Sequence, residues 1–238
     1  MAAAQRNACR RLQLPRLSNK IVGMIVTIDG PAGAGKSSAA RGVAHRLGFR
    51  FLDTGAMYRA VACAALQRGV DLNDGNALAA LTAELEIEVT EDQVLLDGQD
   101  VSRAIRTSEV TAAVKHVADN PNIRSHLVRL QQRTAHDHHT VTEGRDQGTV
   151  AFPNAECKIF LTATPQERAR RRQADLEARG ETVSVDEVLQ QQNLRDQQDA
   201  EREVGRMAKA EDAVEVITDG MTASGVIDAL EAIVRSKM

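Results

Sequence analysis

The chain has 238 residues, 42% of them hydrophobic, and a formal net charge of −3. This length accommodates one sizeable domain with an inserted subdomain, and the charge excludes a general attraction to nucleic acid or to an anionic membrane surface. With no Trp, one Tyr and four Phe, the sequence also lacks the aromatic platforms on which single-stranded nucleic acids stack.

The first twenty residues are basic, with no acidic side chain, and they lack the apolar run of a secretory signal. Met24 stands directly before the first predicted strand. We therefore expect residues 1–23 to be a disordered extension, or to result from a translation start placed too far upstream. A transit peptide is the alternative. No segment is long and apolar enough to span a membrane. The three cysteines (Cys9, Cys63 and Cys157) follow no metal-ligand pattern, which predicts a reducing, cytoplasmic location with the last two in the core.

The stretch from Gly30 to Ser37 fills every fixed position of the phosphate-loop pattern G-x-x-x-x-G-K-[ST]. A predicted buried strand precedes it, and an amphipathic helix ended by Gly48 follows it. Such glycines let successive backbone N–H groups turn toward phosphate oxygens at the positive end of the helix. Lys36 is then a cation for the β- and γ-phosphates, and the Ser37 hydroxyl is a ligand for Mg²⁺. A Gly/Ala-rich turn that binds nothing is the alternative, and the flanking elements disfavour it.

The next predicted pair is a short strand over residues 49–52 and a helix that ends near Gly69. Asp53 or Thr54 is placed to cap this helix. Arg59 then lies one turn inside it, on the side of the phosphate loop if the sheet is parallel; a solvated helix arginine is the alternative.

Between residue 71 and about residue 139 the strand-helix alternation stops. The pattern there predicts a hairpin over 87–96, a turn at Asp97-Gly98 with a short strand to Val101, and two helices, the first containing Ile105. We therefore expect an inserted subdomain over 71–139, with the core formed by 24–70 and 140–238. The run of His136 to His139 is too tightly spaced for all its side chains to face one ion, so no metal site is predicted there.

The alternation then resumes with strands near 140–142, 157–161 and 213–217. Helices are predicted from Pro165 to about 179, from a capping box at Ser184 and Glu187 to about 203, and at the C-terminus. This order indicates an α/β fold with an open parallel sheet covered on both faces. Ligands of such a sheet bind outside the carboxyl ends of its strands.

Glu143 to Asp146 follow a predicted strand and should open onto the same crevice as the phosphate loop. Arg145 is suited to a bidentate pair with phosphate, and the carboxylates to orienting Mg²⁺-bound water or contacting a second substrate. Without the phosphate loop, these four residues would be an ordinary strand exit.

A cluster of arginines marks the two predicted helices that follow: Arg168, Arg170, Arg171 and Arg172 on the first, and Arg195 and Arg202 on the second. A run of arginines with few matching carboxylates repels itself unless an anion is near, which favours phosphoryl transfer over the alternative of a solvated face. Residues 165–182 are predicted to form a lid with its tip near Gly180.

Five separated motifs (28–36, 52–59, 105–107, 144–150 and 158–161) resemble, in this order, those of bacterial cytidylate kinases. The resemblance covers the chain from about Met24 to its end. It implies a three-layer, P-loop nucleoside-monophosphate-kinase fold with a core, a lid and a monophosphate-binding insertion. It also implies transfer of the γ-phosphoryl group of ATP to CMP or dCMP with Mg²⁺.

Residue roles are implied by the same resemblance. ATP would lie on Gly30, Pro31, Ala32, Gly33, Ala34, Gly35, Lys36, Ser37 and Ser38, beside Arg168 and Arg172, with Ser37 as the metal ligand. The acceptor nucleotide would contact Thr54, with its phosphate on Arg59, Arg145 and Arg202, its cytosine on Arg124 and Asp146, and its ribose on Asp199. Arg195 would reach the transferring phosphoryl group, so that the catalytic charges are Lys36, Arg145, Arg195 and Arg202.

The sequence departs from the family pattern at two positions: Lys115 replaces a serine near the base, and Glu143 replaces the more usual aspartate. Two other functions are compatible with a phosphate loop, an ATPase switch and a nucleotide-binding regulatory module. We expect a monomer whose partners are ATP and CMP or dCMP, without nucleic acid or membrane.

Overall fold

The computed structural model describes residues 23–178 and 180–238. The predicted extension therefore lies outside the described residues except for Gly23, as does Arg179 near the predicted lid tip. The strands are β1 (Ile25–Asp29), β2 (Arg50–Asp53), β3 (Ile87–Val89), β4 (Val94–Leu96), β5 (Gln99–Asp100), β6 (Thr140–Gly144), β7 (Cys157–Thr162) and β8 (Val214–Ile217). The helices are α1 (Lys36–Leu47), α2 (Thr54–Gln67), α3 (Gly75–Glu84), α4 (Ser108–Ala118), α5 (Pro121–Ala135), α6 (Pro165–Glu177), α7 (Val185–Glu201) and α8 (Ala223–Arg235).

The main sheet has five parallel strands in the order β2-β6-β1-β7-β8. From the central β1 the chain runs out to β2, returns to β6 and then crosses to β7, so the direction of winding reverses at β1. Ligands of open α/β sheets bind at this kind of switch point. The phosphate loop directly follows β1 and therefore lies there.

Both faces of the sheet are covered at its centre, where β1 is buried along its whole length, whereas the edge strand β8 is mostly exposed. Val26 and Ile28 pack on one face with residues of α1 and α8, whereas Ile25 packs on the other face with Ala135 and Phe152. Full burial on both sides explains why the first four residues of β1 are apolar or β-branched. The predicted α/β fold with a parallel sheet is confirmed.

The segment from 71 to 139 has a small antiparallel sheet, β3-β4-β5, which contains the predicted hairpin. The apolar side chains of the segment 71–139 form one cluster with those of α2, which include Met57 and Val61. Thus α2, assigned from the sequence to the core segment 24–70, also supplies the interior of the insertion. The domain boundaries at 71 and 139 stay a prediction.

Two local predictions in this segment need correction. The helix α3 was missed, although Asp74 caps it by accepting hydrogen bonds from the backbone N–H groups of Asn76 and Ala77. Ile105 lies in a separate 3₁₀ turn, Ala104–Arg106, because Thr107 caps α4 and ends the turn before it.

Other local predictions are confirmed. Asp53 caps α2 through the backbone N–H of Ala56, and Ser184 and Glu187 form the capping box of α7. Cys63 and Cys157 are buried. Among the described residues no helix combines the length and apolar character needed to cross a bilayer.

Candidate active site

The carboxyl ends of β1, β2 and β6 bring the predicted motifs to one edge of the sheet. Asp29 is in register with Gly144, and Asp53 with Glu143. The Thr54 hydroxyl donates to the backbone oxygen of Glu143 at 2.7 Å. The phosphate loop, the start of α2 and the segment 143–146 therefore border the same crevice, as the sequence predicts.

The phosphate loop is shaped by close backbone contact. At Gly30, where φ is 144°, an added Cβ would lie 2.0 Å from the backbone oxygen of Leu161 in β7, so only glycine fits. Lys36 is buried, and its Nζ donates to the backbone oxygen of Pro31 at 2.8 Å within the loop. Burial, and then repulsion by Arg145, lowers the pKa of Lys36 to about 7. An anion in the loop would favour the charged form of this lysine.

An oxygen pair suited to a metal lies beside the loop. The Ser37 hydroxyl donates to Oε1 of Glu143 at 2.7 Å, and Glu143 is itself buried. Hydroxyl and carboxylate oxygens are the ligands that Mg²⁺ prefers, so these two side chains fit such an ion.

The histidine run is engaged in other contacts. His136 pairs with Asp137, whereas Nδ1 of His139 accepts a hydrogen bond from the backbone N–H of Met24 and the ring stacks on Phe49. Within residues 23–178 and 180–238, no group of three or more His, Cys, Asp or Glu side chains is arranged to hold a metal ion.

Asp199 holds two of the predicted phosphate-binding arginines. Its Oδ2 accepts from Nε of Arg145 at 2.8 Å and its Oδ1 from Nη2 of Arg202 at 2.9 Å. Although burial opposes the shift, Arg145 and Arg202 lower the pKa of Asp199. Arg202 also donates to Asp119 at 2.6 Å, which connects α7 to the end of α4. The predicted ribose contact thus has a second role, as the charge that orients both arginines.

Arg59 is oriented by Asp53, whose carboxylate accepts from Nη2 at 3.1 Å. Its Nε is buried and has no hydrogen-bond partner in the described part of the chain. A buried donor without an acceptor is costly, and a phosphate oxygen would satisfy it. Arg195 lies near Arg59 and Arg145; desolvation, and then repulsion by Arg145, lowers its pKa, although the residue keeps exposed surface.

The two residues predicted to contact the base form a buried ion pair. Nη2 of Arg124 donates to Oδ2 of Asp146, and its Nη1 donates to the backbone oxygen of Ala118 at 3.1 Å. The guanidinium lies 5.5 Å from the centre of the Tyr58 ring. Burial raises the pKa of Asp146 while Arg124 opposes that rise. The site therefore presents a carboxylate and a guanidinium that are already held together in a poorly solvated place.

Known proteins resemble this chain along most of its length. A family model described as cytidylate kinase matches residues 26–236. The chain belongs to the cytidylate kinase family. A cytidylate kinase of Rhodopirellula baltica is 51% identical over 212 residues, which cover 89% of this chain and 93% of that protein.

A bifunctional pantoate ligase/cytidylate kinase of Synechococcus sp. WH7803 is 48% identical over 220 residues. The match covers 90% of this chain but only 45% of that protein. A solved gluconokinase of Sinorhizobium meliloti has 17% identity and a TM-score of 0.46, over 91% of this chain and 94% of that one.

The two departures from the cytidylate kinase pattern occupy different surroundings. Glu143 is buried, and its carboxylate accepts a hydrogen bond from the Ser37 hydroxyl. An aspartate at this position would be one methylene shorter, so its carboxylate would lie further from Ser37. Lys115 lies on the exposed side of α4.

The arginines predicted to bind ATP differ in their contacts. Arg168 is buried, and its guanidinium donates to the backbone oxygens of Ala163 and Ala32 and to Asp196 of α7 at 2.6 Å. Arg171, on the same helix, pairs with Glu167 at 2.9 Å. The expectation that this cluster has few matching carboxylates is wrong for Arg168, Arg171 and Arg202. Each has an acidic partner: Asp196 for Arg168, Glu167 for Arg171, and Asp119 and Asp199 for Arg202. Arg172 is half-buried.

Several acidic residues that orient the arginines of this cytidylate kinase fold were not predicted from the sequence. Asp119 and Asp196 hold Arg202 and Arg168, and Asp53 holds Arg59 as well as capping α2. Only Asp53 had a local signal, its place before a helix. Asp119 and Arg202 are 83 residues apart, and no local pattern connects them.

Proposed function

We propose that this protein transfers the γ-phosphoryl group of ATP to CMP or dCMP, giving ADP and CDP or dCDP. The observation that carries the proposal is that two sets of cationic groups suited to phosphate, the loop with Lys36 and the arginines Arg59, Arg145 and Arg202, border one crevice. A donor and an acceptor phosphate bound there would face each other, as in-line transfer requires.

The protein acts by positioning and by charge. An oxygen of the acceptor phosphate is the nucleophile, so no side chain needs to form a covalent intermediate. Arg59, Arg145 and Arg202 would hold the acceptor phosphate, with the unpartnered Nε of Arg59 as one of the donors. Lys36 and Arg195 would face the charge that spreads over the transferring group.

Mg²⁺ is proposed on the loop side of the crevice. Ser37 would be its ligand, and Glu143 would accept from a water bound to it, since the two side chains are already in contact. When bound, the ion neutralises charge on the ATP phosphates. Arg168 would support ATP binding by bracing the loop at Ala32, and Arg172 would act from the same helix.

Base choice is assigned to Asp146 and Arg124. Cytosine has a 4-amino donor where uracil has a carbonyl acceptor, so a carboxylate accepts a hydrogen bond from CMP and meets a lone pair in UMP. The rest of the acceptor nucleotide would contact Thr54 and Asp199. We further propose a monomer in the cytoplasm that has neither nucleic acid nor membrane as a partner.

The deciding experiment measures ADP release from ATP and Mg²⁺ with each nucleoside monophosphate in turn. We expect turnover with CMP and dCMP and little with the others. Equal ADP release without any acceptor would instead indicate an ATPase switch, and ATP binding without turnover would indicate a regulatory module. Family membership argues against both alternatives.

A further inference from the structure

The last residue of β1 makes an unusual long-range contact. Asp29 is only 4% exposed, and its Oδ1 and Oδ2 accept hydrogen bonds from the backbone N–H groups of Gln147 and Gly148 at 2.8 and 2.7 Å. These two residues directly follow Arg145 and Asp146. One carboxylate thus joins the strand that leads into the phosphate loop to the segment that meets the acceptor nucleotide.

The two N–H groups begin the π-helical turn Gln147–Ala151. The first N–H groups of a helical turn have no partner inside it, and the residue just before the turn commonly caps them with its side chain. Asp146 stands at this position and is of the preferred type. Yet within the described chain its carboxylate makes no capping bond and pairs with Arg124 instead.

We propose that Asp29 is a positioning residue for the acceptor nucleotide: it caps the turn in place of Asp146 and so leaves the Asp146 carboxylate facing Arg124 and the base. The role in base binding rests on the proposed function. Without the Asp29 carboxylate, the Asp146 carboxylate at the capping position of the turn would be an acceptor for these N–H groups. Capping by Asp146 would then compete with its pairing to Arg124.

The packing between strand and turn supports this role. An added Cβ at Gly148 would lie 3.0 Å from Oγ1 of Thr27 and 3.4 Å from Oδ2 of Asp29. The turn therefore packs closely on β1, and of these two side chains only Asp29 forms hydrogen bonds with it. Burial raises the pKa of Asp29 to about 6 despite the two N–H donors, with Asp146 adding to the rise and Lys36 opposing it. The charged carboxylate is thus kept in a place where burial disfavours it.

The test compares Asp29→Asn with the matched control Thr27→Val. Asparagine keeps one acceptor but points an amide N–H₂ at the other backbone donor, so one capping bond is lost. Thr27 is on the same strand and the same face, and its hydroxyl has no hydrogen-bond partner among the residues described. Thr27→Val should therefore change none of the measured quantities.

For Asp29→Asn we expect KM for CMP to rise about tenfold or more, as for loss of a hydrogen bond to a charged group, while the Kd for ATP from direct titration stays within about twofold. Equal rises in both constants would show that Asp29 only supports the fold, and an unchanged KM for CMP would overturn the proposal. A double-mutant cycle adds a sharper readout. Asp146→Asn should raise KM for CMP less in the Asp29→Asn background than alone, and fully independent effects would contradict the proposal.

Amide hydrogen exchange separates this inference from the proposed function. Exchange at Gln147 and Gly148 should be faster in Asp29→Asn and unchanged in Thr27→Val, whatever the substrate is. Unchanged exchange in both variants would overturn the capping role. If wild-type protein does not phosphorylate CMP, the proposed function fails while this measurement still decides the cap.

A second variant approaches the same contact from the turn if Asp29→Asn does not fold. The φ angle of Gly148 lies outside the left-handed region, so the backbone tolerates alanine there, but its methyl group would press on Thr27 and Lys158 and would touch Asp29. Gly148→Ala should raise KM for CMP and spare the Kd for ATP. A loss of ATP affinity as large as the loss for CMP would contradict the proposal.

Discussion

At the scale of single residues, the site depends on charges that the fold has already partly desolvated. Lys36 is buried and bonded to a loop carbonyl, and Arg59 keeps a donor without an acceptor in the described chain. Such groups are poised for an anion, because a phosphate both satisfies the donors and stabilises the charge.

Lys36→Ala should lower kcat by about 10²–10³-fold, the effect of removing one preorganised charge that acts in the transition state. The fold should survive, because the variant also removes a buried charge and leaves only the Pro31 carbonyl without its partner. Coupled ADP assays and thermal unfolding measure the two effects. Lys36→Met should behave in the same way, and a kcat equal to that of the wild type in either variant would contradict phosphoryl transfer in this loop.

Asp146→Asn should reduce kcat/KM for CMP and narrow its ratio to kcat/KM for UMP, because the asparagine amide can donate to the uracil carbonyl. The same change leaves Arg124 without its buried partner, so we also expect a loss of stability of about 3–5 kcal/mol. Steady-state kinetics on both nucleotides, with denaturant unfolding, measures these effects.

The control for this prediction is Lys115→Ser, alone and combined with Asp146→Asn. It shows whether the amine at this exposed position of α4 contributes to the base contact. If Asp146→Asn lowered turnover of CMP and UMP by one common factor, Asp146 would orient neighbouring groups such as Arg145, and the base would be read elsewhere.

At the scale of elements, α6 and α7 form a pair joined to the phosphate loop. Arg168 of α6 bonds to Asp196 of α7 and to the Ala32 carbonyl, and Gln192 of α7 donates to the backbone of Arg168. A movement of this pair is therefore transmitted directly to the loop that would bind ATP. The predicted lid, residues 165–182, contains α6 and ends before α7 begins at Val185.

Hydrogen exchange over residues 165–182 should slow when a bisubstrate analogue of ATP and CMP is added, because the arginines of this pair would close onto phosphate. Mass spectrometry of peptic fragments measures the change. Peptides from α8, which packs with α1 and the main sheet, serve as the control. Equal protection with and without the analogue would identify the arginine-rich helix as a solvated surface.

At the scale of the whole molecule, one buried group connects function to stability. The pKa of Asp29 is raised from 3.8 to about 6, so the folded state binds a proton more tightly than the unfolded chain does. Folding then gains stability as the pH falls through 6 and loses it as the pH rises from about 4 to 7. The loss from this group is about 3 kcal/mol over the window, from the size of the shift.

Chemical unfolding from pH 4 to pH 7 should therefore show that wild type loses stability relative to Asp29→Asn as the pH rises. The comparison cancels groups that titrate equally in both proteins. A stability difference that does not vary with pH would show that Asp29 has an ordinary pKa. Asp29 therefore has two opposing effects at neutral pH. Its charge positions the turn, but burial of that charge lowers the stability of the fold.

Much of the fold was predictable because its signals are local. The phosphate loop, the Asp53 cap and the capping box at Ser184 and Glu187 each occupy a few neighbouring residues, so backbone geometry and short-range hydrogen bonds decide them. The alternation of strands and helices then indicates the parallel sheet and which strand ends meet. Resemblance to a family added Arg124 and Asp146 as the residues expected to contact the base, which spacing alone does not predict.

Only the tertiary structure decided how the charges are partnered. Asp199 between Arg145 and Arg202, Arg168 on Asp196, and Asp29 on the turn after Asp146 join residues that are distant in the chain or on different elements. A sequence shows that an arginine is present, but whether it is free or held depends on which carboxylate the packing brings within about 3 Å. Local motifs in the sequence therefore identify the kinds of side chain that border the crevice. The orientation of their charges arises only when the strands are assembled.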